Sequence, residues 1–178
     1  QTVLVDAGTG AGASDTVDYL KLCGVRKIDL LVATHPHEDH IGGIVDVINN
    51  FEIGKIWDSG YNHGSKIQKR YLEAVRSRKI PFGRPKRGYT EKMGGVKLEV
   101  LAPQKDVTLK NTHSDANNNS LIMRLEYGDI SFLMMGDAER EERSSIGKLP
   151  RSTVLKAAHH GSSNGTNKTL LNQVKPYF

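Results

Sequence analysis

An α/β fold of two layered sheets with helices outside them, a four-layer αββα sandwich, is what the sequence predicts. Short apolar strand-like runs alternate with stretches of helical spacing through most of the chain. Two strand-like runs then follow each other directly around Tyr127-Gly128-Asp129, which reads as a hairpin. That succession suits sheets stacked in layers with helices on the outer faces. With 178 residues and no repeat or linker, residues 1–178 are expected to form one domain large enough to bury a substantial core.

Taken in order, Val3-Leu4-Val5 reads as a short strand ending at Asp6. A loop of small residues covers 9–13, and Ser14 is expected to cap a helix reaching about Cys23, with Val17, Leu20 and Leu22 on its apolar side and Gly24 as its stop. Residues 28–33 are apolar almost throughout, as in a strand covered on both faces. A helix over about 41–50 follows, its Gly42-Gly43 permitting close backbone approach. A strand at 55–57, a polar loop at 58–64 and a helix over about 66–79 come next, the last with Ile67, Tyr71, Leu72 and Val75 at helical spacing. Residues 81–95 read as turn-rich, 96–101 as a half-exposed strand and 104–118 as a long polar loop. The hairpin strands cover 121–126 and 130–135. A charged helix over about 138–145, a strand at 153–158 and a helix over about 166–174 complete the chain. Trp57 reads as core, and Cys23 as a small buried residue whose solitude excludes an internal disulfide.

The formal net charge is +5, and no run reaches the roughly 20 apolar residues of a membrane span. No signal peptide is visible, and the chain opens mid-strand, so any export signal is expected to be gone already. The charge is uneven. Residues 66–97 hold eleven Lys or Arg and two Glu, a local +9 that leaves −4 for the rest. Lys69, Arg70, Arg76, Arg78, Arg84, Lys86 and Arg87 belong to it, with Tyr71 and Tyr89 between them. A basic segment beside an acidic site suits a polyanion better than a neutral lactone.

Chemistry concentrates in Thr34-His35-Pro36-His37-Glu38-Asp39-His40, directly after a predicted strand. Three histidines and two carboxylates in six residues would repel or desolvate one another in a packed core, and a divalent cation removes that conflict. The pattern His-x-His-x-Asp-His resembles the signature of the metallo-β-lactamase-fold hydrolases. The resemblance implies that His35 and His37 hold one metal and Asp39 and His40 a second. Further polar clusters follow other predicted strands: Asp6, Asp137 and His159-His160. Strand ends on one sheet edge converge, so these groups can meet. Asp137 would stand between the ions and one histidine of the pair would complete the set, His160 being assigned to metal. Asp6 would orient a ligand imidazole.

The stretches 117–122, 132–139 and 155–162 narrow the resemblance to the ComEC-type branch of that superfamily, whose members include a membrane channel of bacterial DNA uptake and secreted stand-alone relatives. What that resemblance implies is a metal-dependent phosphodiesterase or nuclease with two divalent ions, zinc or manganese, degrading the DNA strand that is not imported. Its location would be the outer face of a bacterial cell or the medium. DNA and a membrane channel domain of the same protein are the expected partners, and no nucleotide cofactor is expected. Where the superfamily usually has a histidine ligand, this chain has 117–120, so Asn117 or Asn119 is expected as a second-shell or weaker ligand, with His113 close by; an amide oxygen there favours manganese. The family usually adds a strand before this sequence and a strand, a helix and a histidine after it, so the chain reads as a domain trimmed at both ends. Asp39, Asp137 and His159 are the expected catalytic residues, with Ser162, Ser163, Arg70, Lys86 and Arg87 binding substrate. His63 reads as surface. Two rivals remain: a small-ester, lactone or phosphocholine-type hydrolase on the same fold, and a non-catalytic DNA-binding module stabilised by metal.

Overall fold

The computed structural model describes all residues, Gln1–Phe178, and forms two compact units, Gln1–Arg84 and Pro85–Phe178.

The first unit opens with β1 (Val3–Val5) and α1 (Ala13–Leu22). The helix starts two residues earlier than a Ser14 cap would have it. Gly12 stands at the N-cap, its N–H bonded to the Thr9 hydroxyl, and Ser14 lies inside the first turn. Gly24 ends the helix as expected, in the left-handed conformation a C-terminal glycine supplies. Leu22 is exposed rather than apolar-side, and Cys23 is exposed rather than buried. The expected strand over 28–33 is two strands, β2 (Lys27–Ile28) and β3 (Leu30–Ala33). The break falls at Asp29, whose carboxylate accepts from Thr2 N at 2.8 Å. The expected helix over 41–50 is likewise two, α2 (Glu38–Ile41) and α3 (Ile44–Asn50), followed by β4 (Glu52–Ile53) and β5 (Ile56–Asp58). The helix α4 (Lys66–Ser77) is capped by Ser65, whose hydroxyl accepts from Gln68 N, and β6 (Phe82–Gly83) closes the unit.

Strands β1, β3, β5 and β6 form one parallel sheet in the order β1-β3-β5-β6, and β2 pairs with β4. Val17 and Leu20 of α1, Ile44, Val47 and Ile48 of α3, and Tyr71 and Val75 of α4 pack with Leu31, Ala33 and Ile56 of this sheet. Leu30 and Val32, on the opposite face of β3, are equally buried, which is why the strand is apolar throughout. A Cβ on Gly43 would lie 2.3 Å from the carbonyl oxygen of Ala7, so only glycine lets α3 approach the end of β1 this closely.

The second unit holds β7 (Thr90–Met93), β8 (Val96–Ala102), β9 (Ile122–Tyr127), β10 (Ile130–Met134), α5 (Arg140–Ile146), β11 (Val154–Lys156) and α6 (Lys168–Val174). Its sheet runs β11-β10-β9-β8-β7, antiparallel except for the β10–β11 pair. The expected turn-rich segment contains β6 and β7. Leu133, Met135, Ile146, Leu170 and Val174 gather α5 and α6 on one face of the sheet. Each unit is thus a helical layer on a sheet layer, the pair of layers an αββα sandwich requires of each half. No helix is long and apolar enough to cross a membrane.

Candidate metal centre

In the first unit the donors stand at the carboxyl ends of parallel strands. Asp6 follows β1 with φ 60°, a left-handed conformation that strains a non-glycine residue. It is held there by its own N–H to Val32 O at 2.8 Å. The carboxylate is fully engaged: Oδ1 accepts from Thr34 N at 2.8 Å, and Oδ2 accepts from Thr34 Oγ1 at 2.8 Å and from His40 Nδ1 at 2.7 Å. These bonds fix two tautomers. His40 gives its Nδ1 proton to Asp6, leaving the lone pair on Nε2. The Thr34 hydroxyl spends its only proton on Asp6, so it accepts from His35 Nδ1 at 3.2 Å, leaving a lone pair on His35 Nε2. This carboxylate-to-imidazole support is the role expected of Asp6.

His35 is buried, His37 half-buried, and His35 Nε2 lies 3.1 Å from His37 Nδ1. Two nitrogens bound tetrahedrally to one ion at roughly 2.0–2.1 Å would stand about 3.3 Å apart, so the pair is spaced for a shared divalent cation. The His35 and His40 rings are 4.1 Å apart, and Asp39 Oδ2 lies 3.7 Å from His40 Nε2. The loop owes its position to α2 folding back on β1, with Ala7 N bonded to His40 O at 2.8 Å and Gly10 N to Glu38 Oε1 at 2.8 Å. Glu38 therefore braces the loop. His63 comes from an ordered loop that buried Gln68 staples, accepting from His63 N and Gly64 N and donating to Tyr61 O. Its ring meets His37 edge-on at 5.6 Å; the residue is exposed, as expected, yet borders the histidine loop. Burial, and then Asp58, which accepts from its hydroxyl at 3.3 Å, push the Tyr71 phenol well above its usual pKa and keep it neutral.

In the second unit Asp137 follows β10 and is buried. His160 Nε2 lies 3.3 Å and His159 Nε2 4.0 Å from its Oδ2. Both histidines are left-handed, with φ 49° and 51°. A Cβ on Gly165 would fall 2.6 Å from His159 Cβ, so glycine lets the loop fold over the strained pair. Arg143 secures the same loop by donating to the carbonyls of Asn164 and Gly165, and to Ala138 O at 3.4 Å. Burial lowers its pKa from the usual guanidinium value.

The asparagine run divides its labour. Asn119 bonds Leu109 N through Oδ1, and Leu109 O and Asp115 O through Nδ2. Its whole amide thus braces the 104–118 loop instead of standing free as the expected ligand. Asn117 donates Nδ2 to Glu139 Oε1 at 3.0 Å, while its Oδ1 is buried without a hydrogen-bond partner, the condition of a ligand oxygen. Ser162 turns its hydroxyl to Asn164 Oδ1 at 2.7 Å and Ser163 is exposed. In the first unit Arg70 lines a cleft with Gly10, Glu38 and Gly42 beside the histidine loop. Lys86 is half-buried and acts on Glu142, while Arg87 is exposed. Sequence reasoning gave no role to Thr34 or Glu139. Both stood inside the motifs, and only the fold shows what their side chains reach.

Imidazoles of fixed tautomer after one parallel strand, and an aspartate with a histidine pair after two strands of a mixed sheet, define a protein of the metallo-β-lactamase superfamily. The chain belongs to it, for the family's model matches residues 1–176. Among named relatives it is similar to ComE operon protein 3 of Bacillus subtilis, 27% identical over 93% of this chain and 21% of that protein. It is also similar to Competence protein ComA of Neisseria gonorrhoeae, 32% identical over 99% of this chain and 23% of that protein. The resemblance to the ComEC-type branch thus stands, and the chain spans roughly a fifth to a quarter of the length of these relatives. Among solved structures, a metallo-β-lactamase of Cronobacter sakazakii shares the fold with a TM-score of 0.57 at 17% identity, covering 89% of this chain and 69% of that one.

Proposed function

We propose that this domain is a metal-dependent phosphodiesterase acting on DNA. In the first unit His35 and His37 would hold one divalent ion and Asp39 and His40 another; in the second unit Asp137 and His160 would be metal donors, with Asn117 Oδ1 as a weaker ligand. The observation that carries this reading is the bond pattern around Asp6, which presents lone pairs on His35 and His40 and has no purpose in a solvated polar loop. Zinc or manganese held by these residues would lower the pKa of water towards ~7 and would screen charge developing on phosphate oxygens. The protein's own part is to orient. Asp39 and Asp137 would direct the attacking water, and His159 would meet the leaving oxygen. Exposed Lys69, Arg70 and Arg76 on α4 supply cationic charge for a polyanion, and the names of the competence relatives point the same way. The cleft beside the histidine loop is lined by Ile41, Val45 and Ile67 together with Arg70 of the basic helix, so it does not favour a neutral ester over DNA. Degradation of a non-imported strand at the cell exterior, attached to a membrane channel, is the setting we infer.

The test combines metal analysis of the purified chain with nuclease assays across zinc, manganese and magnesium. Cleavage of single- or double-stranded DNA with about two ions per chain is expected. DNA left intact while a lactone or small ester is hydrolysed would refute the nuclease reading. His35→Ala and Asp137→Asn variants that melt at lower temperature yet keep their DNA affinity would point to a binding module instead.

A further inference from the structure

Glu139 is a buried acid of the second unit to which the proposed metal set gives no task. It is 1% exposed, and an unneutralised carboxylate is expensive to bury. It occupies the N-cap of α5, where a side chain ordinarily bonds the first free N–H groups, yet it makes no such bond. The carboxylate turns away from its helix. Oε1 accepts from Asn117 Nδ2 at 3.0 Å and stands 3.3 Å from His159 Nδ1, while Oε2 stands 3.2 Å from His113 Nδ1. Helix capping therefore does not account for the buried carboxylate; two imidazole Nδ1 atoms lie at ion-pair distance from it, while Glu139 Oε2 and His159 Nδ1 are both buried without a hydrogen-bond partner.

His113 is 74% exposed in its side chain, but the loop beneath it is not loose. Asp115 Oδ1 accepts from Thr112 N and Thr112 Oγ1, each at 2.8 Å, and Asn119 ties both Leu109 and Asp115. An exposed ring on a braced loop, with one nitrogen facing a buried carboxylate, is oriented for contact with something outside. His159 is fixed as firmly, by its left-handed backbone and by its N–H bond to Gly136 O at 3.2 Å.

Resting on the phosphodiesterase reading, we propose that Glu139 is a positioning residue that aims two imidazoles at the DNA: His159 at the scissile phosphodiester and His113 at the flanking strand. Glu139 faces the Nδ1 side of each ring. That leaves His159 Nε2 on the side of Asp137 and the remainder of the His113 ring open to a passing strand.

The experiment uses the full chain with manganese, a single-stranded oligonucleotide and a small aryl phosphodiester. Glu139→Gln is expected to lower kcat on both substrates about 10- to 100-fold, with KM and bound metal little changed, and Glu139→Asp to recover part of it. His113→Ala is expected to raise KM for the oligonucleotide several-fold, by more than it changes any kinetic parameter for the small diester, with the melting temperature measured alongside. Nitrogen NMR of the unmutated chain is expected to show His159 protonated at Nδ1. A His159 unprotonated at Nδ1 overturns the proposal. So does a Glu139→Gln whose activity falls only in step with lost metal and melting temperature, or a His113→Ala identical to wild type. If the unmutated chain cleaves no phosphodiester, the functional reading fails, and the His159 proton position decides the positioning by itself.

Discussion

Asp6 and Glu142 are both acidic, and their surroundings set them to opposite tasks. Asp6 receives three hydrogen bonds and orients His40. Replacing it by Asn removes the charge that holds the His40 tautomer. Metal affinity should drop about 10- to 100-fold by chelator competition; unchanged affinity would reduce Asp6 to a turn residue. Glu142 is buried, and burial pushes its carboxyl well above the usual range, opposed by the Ser120 N–H and by Lys86. It therefore stays protonated in the fold at pH values where the unfolded chain would ionise it. The native state then binds the extra proton, and stability falls as pH rises from the ordinary carboxyl range through the raised native pKa. Glu142→Gln keeps the acceptor for Ser120 and removes that slope. Melting curves from pH 5 to 8 should show the variant gaining on wild type as pH rises, and parallel curves would contradict it. The donors themselves could be read from residue types and order. The tautomers could not, because they depend on Thr34 reaching Asp6 across 28 positions of sequence.

At the scale of elements, periodicity located most helices and strands and failed where a local contact overrode it. Strand β3 looked continuous with β2 because Asp29 is one polar residue in an apolar run. Its carboxylate bonds Thr2 N, and β2 turns aside to pair with β4. Strand β7 escaped notice because Thr-Glu-Lys-Met lacks a clear apolar face. It is an edge strand paired only to β8, where charged side chains are tolerated and protective. The Gly42-Gly43 break between α2 and α3 is enforced by contact with the end of β1. Gly43→Ala would press a methyl against Ala7 O and should destabilise by about 3 kcal/mol in denaturant unfolding. Gln68→Ala would free the loop carrying His63, at about 1–3 kcal/mol for the groups left unpaired, and faster amide exchange at His63 and Gly64 is the signature.

For the whole molecule, each unit brings its own donors at its own strand ends, so metal would link folding to loading. A ligand that binds only the folded chain raises stability by about 2.7 kcal/mol at a hundred times its Kd. Manganese should raise the melting temperature of the wild type, and chelator should reverse it. DNA binding should weaken steeply with salt, the slope on single strands falling by roughly 0.7 for each phosphate contact removed. Lys69→Glu with Arg70→Glu tests this, and an unchanged slope would clear α4 of any part in binding.

Arg143 reaches from α5 to the carbonyls of Ala138, Asn164 and Gly165, and so rivets the segment after Asp137 to the segment after His160. The two cannot be transplanted separately. A graft of either loop into a related scaffold would carry its donor geometry only if the guanidinium travelled with it.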